Sequence, residues 1–263
     1  MSTVIHYQNQ SGVARIRLSA VESGNALNLP LVQQLSDAIK DALGDESCRV
    51  ITISAEGADF CRGLDLQQVM DSEGKVDPAL FQLFLDGLLL ISESDKPVIA
   101  CVEGNVSGGG VGLVAACDIV LAKEEVVFML PEVIVGMIPA LIGPFLLRRL
   151  SPARARYMAL SSRGIKAAEA NLFGLVDEVV TERMSVTLNR QLKRLFRSNP
   201  LALAESKHYF DKLENKQLRQ QTELAKKQLI SWLSQPDVIA GLQTFAEGYS
   251  PPWFQRYRAP KNG

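Results

Sequence analysis

Two glycine-bearing stretches of this chain hold residue types from which a site for a carbonyl oxygen that gains charge could be built. Gly108-Gly109-Gly110-Val111-Gly112 follows a β-like run and opens a helical one. Backbone N–H groups at a helix N-terminus are unpaired donors with positive partial charge, so they can hold a carbonyl oxygen that gains charge. A second donor can come from Asp59-Phe60-Cys61-Arg62-Gly63-Leu64-Asp65, where Gly63 lets the chain turn tightly after a buried strand. Taken alone, either glycine segment also reads as a tight turn or as close packing. Glu132, in Leu130-Pro131-Glu132 ahead of the apolar Val133, Ile134 and Met137, reads by itself as a surface glutamate after a proline.

Other chemistries find no support. His6 and His208 are the two histidines, and neither sits at metal-binding spacing from a Cys, His or Glu. The chain has no GxSxG elbow and no GxxxxGK[ST] loop. As a dinucleotide fingerprint the glycine run is poor, because its acidic partner, about 20 residues on, would be Glu132, which does not end a clean strand. Cys48, Cys61, Cys101 and Cys117 form no CxxC pair and read as reduced thiols of a cytoplasmic protein. Met1 to Gln10 lacks the apolar core of a signal peptide. The longest apolar runs fall short of the roughly 20 residues of a membrane span. With 28 Lys plus Arg against 29 Asp plus Glu in 263 residues, there is no general basic field for nucleic acid.

The elements that would position these residues alternate. Val4–Tyr7 and Val13–Leu18 read as strands joined by a turn at Gly12. Leu31, Leu35, Ile39 and Leu43 mark a helical face, followed by strand Val50–Ser54, the apolar helix Leu80–Ile91 and strand Pro97–Val102. Helix Gly108–Ala116 and strand Ile119–Ala122 complete a pattern of parallel strands with crossovers. Beyond about residue 185, Leu188–Phe196, Leu201–Leu213, Leu218–Leu233 and Val238–Phe245 are all helical, with Pro200 and Pro236 as helix starts. The expectation is an α/β core over residues 1–184 and a helical region over 185–263.

In order and register, these segments resemble the crotonase (enoyl-CoA hydratase/isomerase) superfamily. Asp59 to Leu66 is similar to its first oxyanion loop. Lys96 to Gly104 with Gly108-Gly109-Gly110 and Cys117-Asp118-Ile119 is similar to its second. Phe128 to Glu132 with Gly136-Met137-Ile138-Pro139 resembles its catalytic segment, and Lys166 to Ala170 through Gly174-Leu175-Val176-Asp177 its next signature. The resemblance implies an α/β fold of repeated ββα units in two sheets, with C-terminal helices that support trimers or hexamers. It implies an acyl thioester whose carbonyl lies between the backbone N–H groups of Leu64 and Gly109, beside a catalytic Glu132, with Arg62, Gly108, Gly112 and Ala140 as candidate substrate contacts. In that role Glu132 approaches the apolar Val133, Ile134 and Met137, where desolvation should raise its pKa and suit it to take a proton and return it. No metal or resident cofactor is implied, since the substrate rides on CoA or on the phosphopantetheine of an acyl carrier protein.

The sequence departs from the two-glutamate hydratases of that family, because Gly112 stands where the first glutamate would be. Segments Val106–Ala116 and Pro139–Arg149 look closest to the polyketide β-branching dehydratases. These remove water from a 3-hydroxy-3-methylglutaryl group on an acyl carrier protein. A Δ3,Δ2-enoyl thioester isomerase is the nearest enzymatic alternative, a decarboxylase from the same cassettes a further one, and a catalytically silent scaffold that binds RNA or protein the non-enzymatic one. Gln67 and Gln68, where CoA-dependent relatives often carry a basic residue, favour the carrier protein. Arg148, Arg149, Arg154 and Arg156 form one candidate docking cluster, and Arg256, Arg258 and Lys261 another. Arg62 or Lys75, the latter in a candidate lid from Asp71 to Asp77, could meet a distal carboxylate. His208 and Tyr209 could face the pocket or simply pack in the core, and helix Leu80–Ile91 is expected to cover the acyl chamber.

Overall fold

A computed structural model describes residues 4–65, 78–213 and 218–256. The chain opens with strands β1 (Ile5–Gln10) and β2 (Val13–Leu18), paired antiparallel through a turn in which Ser11 and Gly12 both have positive φ, 53° and 76°. That two-residue geometry matches the right-handed twist of the strands it joins. Helix α1 (Leu29–Gly44) starts with Asn28, whose side chain accepts from the Leu31 N–H, and with Pro30 in its first turn. It buries Leu31, Leu35 and Ile39 against the sheet.

Three strand pairs then repeat one plan. β3 (Val50–Ala55), β5 (Val98–Val102) and β7 (Ile119–Lys123) run parallel in the large sheet, and each is followed by a three-residue strand of a second sheet: β4 (Asp59–Cys61), β6 (Asn105–Ser107) and β8 (Val127–Met129). Helices α2 (Pro78–Ser92) and α3 (Gly109–Ala116) carry the chain from one pair to the next. The large sheet has the order β1-β2-β3-β5-β7-β10 and the small one β4-β6-β8-β9, closed by β9 (Ile165–Lys166) and β10 (Glu178–Val180). This is the repeated ββα, mixed α/β arrangement that the sequence resemblance implied.

Between β8 and β10 lie a 3-10 turn over Glu132–Val135 and helices α4 (Gly143–Arg149), α5 (Pro152–Ser161) and α6 (Ala167–Phe173). After Val180 the described elements are helices alone: α7 (Met184–Arg197), α8 (Pro200–Leu213), α9 (Leu218–Leu233) and α10 (Pro236–Ala246). The main core fills the space between the sheets and α1 to α4, with Phe60, Phe81, Phe128 and Phe145 almost wholly enclosed. A smaller core on the other face of the large sheet packs Ile99, Cys101 and Leu121 beneath Met184, Leu192 and Leu195 of α7. Among the described residues no helix is long and apolar enough to cross a membrane.

Helix α2 differs from its expected role. No residue of α2 lines the cavity described below. Its apolar side chains, including Leu80, Phe81 and Leu85, are consumed in packing within the core, and Phe84 lies behind Gly109. It supports the floor of the site instead of roofing it.

Candidate active site

The first loop of the site is fixed by the chain just before α1. Asn25 is fully buried, and its Nδ2 donates to the carbonyls of Glu56 and Asp59, both at 2.9 Å, so it sets where β4 begins. The Arg62 N–H donates to Gly24 O at 3.1 Å, the Leu27 N–H to Gly63 O at 2.8 Å, and the Asp65 N–H to Leu27 O at 3.2 Å. Leu27 and Leu64 therefore form a parallel bridge whose bonds are made by the residues on either side of Leu64. In such a pairing the Leu64 amide points away from Leu27.

The second loop turns at Gly108. Its N–H donates to Met129 O at 2.9 Å, and its dihedrals, φ 53° and ψ −123°, are open only to glycine at little cost. Gly109 is the first residue of α3, so its N–H has no partner within the helix. The two loops meet at Gly63, where φ is 89° and a Cβ would lie 2.9 Å from Ser107 O and 3.1 Å from Gly109 N. Glycine there lets the segments of Leu64 and Gly109 close on one another. Gly110 serves packing, since a Cβ on it would come within 2.7 Å of Cys61 O.

Both segments line one cavity of about 680 Å³, and Glu132 lines it with them. The Glu132 carbonyl accepts from the Met137 N–H at 2.8 Å, closing the 3-10 turn that ends at Gly136, φ 78°. The side chain is half-buried. Oε1 would lie 3.3 Å from a Cβ on Gly108, and Oε2 is enclosed without a hydrogen-bond partner among the described residues. Desolvation pushes the carboxyl pKa from 4.5 up to about 7, against a small opposing effect of its own backbone N–H. The apolar wall comes from Met129, Ile134, Val135 and Met137; Val133 does not contribute to it.

Position 112 is decided by packing. Gly112 is buried in α3, and a Cβ there would sit 2.2 Å from Ile142 Cγ2 and 2.7 Å from Ile142 Cβ. The space beside Gly112 is thus filled by an apolar side chain. Neither Gly112 nor Ala140 lines the cavity; Ala140 lies in the turn into α4, where its carbonyl accepts from the Gly143 N–H at 3.2 Å. Arg62 and Asp59 do line it, with Arg62 Nε 3.8 Å from Asp59 Oδ2 and the Arg62 side chain 66% exposed.

Two expectations change. His208 and Tyr209 lie on α8 away from the cavity: His208 Nε2 is 2.9 Å from Asp95 Oδ1, and Tyr209 is exposed beside Phe210. The cluster at 148–156 is largely engaged within the protein. Arg148 bonds Ser92 and Asp211, Arg149 pairs with Asp177 at 3.1 Å and caps the carbonyls of Cys117 and Asp118, and Arg154 stacks 4.4 Å over the Phe173 ring. Arg156 and Arg256 are exposed. Lys75 and the segment from Asp71 to Asp77, together with Gln67, Gln68, Arg258 and Lys261, lie outside the described residues. Asn25, Leu27 and Phe245, which holds or lines the site from other elements, were not singled out from the sequence. Only the turn-forming string Ser23-Gly24-Asn25 gave a signal there.

Two amide-bearing segments lining one cavity beside a half-buried carboxyl, one of whose oxygens has no partner among the described residues, can stabilise an enolate and move a proton at the adjacent carbon. Among the described residues no group of His, Cys, Asp and Glu could hold a metal ion. Comparison with known proteins agrees with this geometry. The profile of the family described as Enoyl-CoA hydratase/isomerase matches residues 8–256. The Xenopus laevis mitochondrial enoyl-CoA hydratase domain-containing protein 3 is 32% identical, over 94% of this chain and 84% of its own. The bacillaene synthase dehydratase PksH of Bacillus subtilis is 29% identical, over 93% and 94%. A solved structure of PksH from Bacillus subtilis, described as a candidate polyketide biosynthesis enoyl-CoA hydratase, superposes with a TM-score of 0.88 at 25% identity, over 96% of this chain and all of that one.

Proposed function

We propose, from the premise that the chain belongs to the enoyl-CoA hydratase/isomerase family, that it dehydrates a 3-hydroxy-3-methylglutaryl thioester, carried on an acyl carrier protein, to the 3-methylglutaconyl thioester. The observation that carries this reading is Glu132 at the amide pair with Ile142 filling the space beside Gly112, the other carboxyl lining the cavity, Asp59, being paired with Arg62. The thioester oxygen is held by the Leu64 and Gly109 N–H groups. Glu132 removes the α-proton; the resulting enolate re-forms the carbonyl, the α–β double bond forms, and the β C–O bond breaks. The departing hydroxide takes the same proton from Glu132 and leaves as water, so one carboxyl serves both steps when hydrogen and hydroxyl share a face. A tertiary β-carbon bears developing positive charge well, which lessens the need for a second acid. A carboxyl with a pKa near 7 both accepts and gives a proton easily at neutral pH.

Arg62, at the cavity with its guanidinium largely exposed, is assigned to the distal carboxylate of the glutaryl chain. A homotrimer or hexamer is part of this reading, and the exposed Leu201, Phe210 and Leu213 of α8 are the surface that supports it. Purified protein incubated with the 3-hydroxy-3-methylglutaryl carrier protein should give a product lighter by one water. The CoA thioester should react more slowly. A 3-enoyl thioester that isomerises without mass change, while the hydroxy substrate stays intact, would replace the dehydratase reading with the isomerase one.

A further inference from the structure

Trp232 and Trp253 are the two tryptophans of the chain, and both donate to the turn that carries Glu132. Trp232 Nε1, on α9, donates to Gly136 O at 2.8 Å. Trp253 Nε1, in the segment beyond α10, donates to Ile134 O at 3.2 Å. The Trp253 ring sits in a slot between two glycines: a Cβ on Gly136 would come within 2.4 Å of its Cη2, and a Cβ on Gly241 within 2.0 Å. Gly241 lies inside α10, where alanine would favour the helix, so the space for the indole is the reason a glycine suits this position. Phe245, one turn further along α10, reaches the cavity itself. A four-residue 3-10 turn is held by few bonds of its own, and here two carbonyls at its end are held from outside.

We propose that Trp253 and Trp232 are positioning residues which clamp the Glu132–Val135 turn and so fix the carboxyl against the amide pair, making the segment beyond α10 part of the working site. The inference rests on the proposed dehydration for its kinetic reading but has a second reading that does not. Loss of the clamp lets the turn shift and admits water to the carboxyl. A displacement of about 1 Å at a reacting group can cost up to about a hundredfold in rate, and a smaller shift costs less, so a fall of about tenfold in kcat is expected with KM little changed.

The test uses Trp253→Phe, Trp253→Ala, Gly241→Ala and Trp232→Phe in the full chain, each checked for its melting temperature. Trp253→Ala and Gly241→Ala should both lower kcat about tenfold with KM within about twofold, and Trp253→Phe should retain most of the rate because the ring still fills the slot. Gly241→Ala is the discriminating variant, since it leaves both tryptophans in place and should lose rate even where its melting temperature is unchanged or higher. Both indoles flank the turn, so tryptophan fluorescence reports Glu132 without substrate: the wild type should titrate near pH 7, and Glu132→Gln should remove that transition. Asp59 and Arg62 are the other titratable groups lining the cavity, and they remain in Glu132→Gln as its control. In Trp253→Phe the signal of Trp232 should still titrate, and Gly241→Ala should move the midpoint down. Unchanged kcat and unchanged midpoint in Gly241→Ala and Trp253→Ala would overturn the clamp. A wild type that dehydrates nothing yet shows these fluorescence shifts would instead overturn the proposed function alone.

Discussion

Replacing Glu132 with glutamine should abolish turnover and, at alkaline pH, stabilise the fold. The folded carboxyl has a pKa of about 7 against 4.5 ordinarily, with desolvation as the chief cause. Because the folded value is the higher one, the folded state holds the proton more tightly than the unfolded chain does. The stability this gives is fully present below about pH 4.5 and is lost as pH rises through about 7. At 1.36 kcal/mol per pKa unit the gap amounts to about 3 kcal/mol as an upper bound, and partial solvent access at the cavity brings the expectation to about 1–3 kcal/mol. Glutamine keeps the shape and cannot ionise, so the variant should match the wild type at pH 4.5 and exceed it by that amount at pH 8.5. Urea unfolding of both proteins at the two pH values measures the difference and cancels the other titrating groups. Parallel pH dependence of the two proteins would show that Glu132 is not held in a desolvated state, and the base assignment would lose its physical support.

Gly63→Ala should cut kcat by about 10²–10³, the cost of losing an oxyanion donor, because a Cβ there meets Ser107 O at 2.9 Å and Gly109 N at 3.1 Å; steady-state kinetics on a thioester substrate would show it. Gly112→Glu should destabilise the protein by about 1–3 kcal/mol through overpacking against Ile142 and should not create a two-glutamate hydratase; thermal unfolding and a hydration assay on an enoyl thioester check both halves. Arg62→Ala should raise KM for a glutaryl-type substrate with a distal carboxylate and leave KM for an uncharged acyl chain within about twofold. Cys61, Cys101 and Cys117 should resist alkylation at pH 8 until the protein unfolds, since burial pushes the first two thiols up to about 12 and raises that of Cys117 strongly as well, as mass spectrometry of iodoacetamide-treated protein would record.

The elements legible in the sequence are those long enough to carry a period. The β1–β2 hairpin followed from alternation and Gly12, and α1 from apolar residues four apart. β4, β6, β8 and β9 are two or three residues long, too short for any pattern, and they exist because neighbouring strands present partners. They were reachable through the family resemblance alone. Leu64, Gly109 and Glu132 were singled out through the family resemblance, and the three residues line one cavity. The engagement of Arg148 was not, because its partner Asp211 lies 63 residues away and charge counts do not reveal pairs formed in space. Trp253 was silent for the same reason, since its slot is made by Gly136 and Gly241 from separate parts of the chain. Gly112 was legible as an absence; that Ile142 takes the space is a fact of packing.

The claim that one carboxyl handles both protons is tested most directly by the pH dependence of kcat/KM for water loss from the 3-hydroxy-3-methylglutaryl carrier protein, followed by mass spectrometry. The rate should rise with a single ionisation near pH 7, reach a plateau with no fall from a second acid, and vanish in Glu132→Gln. A bell-shaped profile with two ionisations, or water loss that survives in Glu132→Gln, would contradict it.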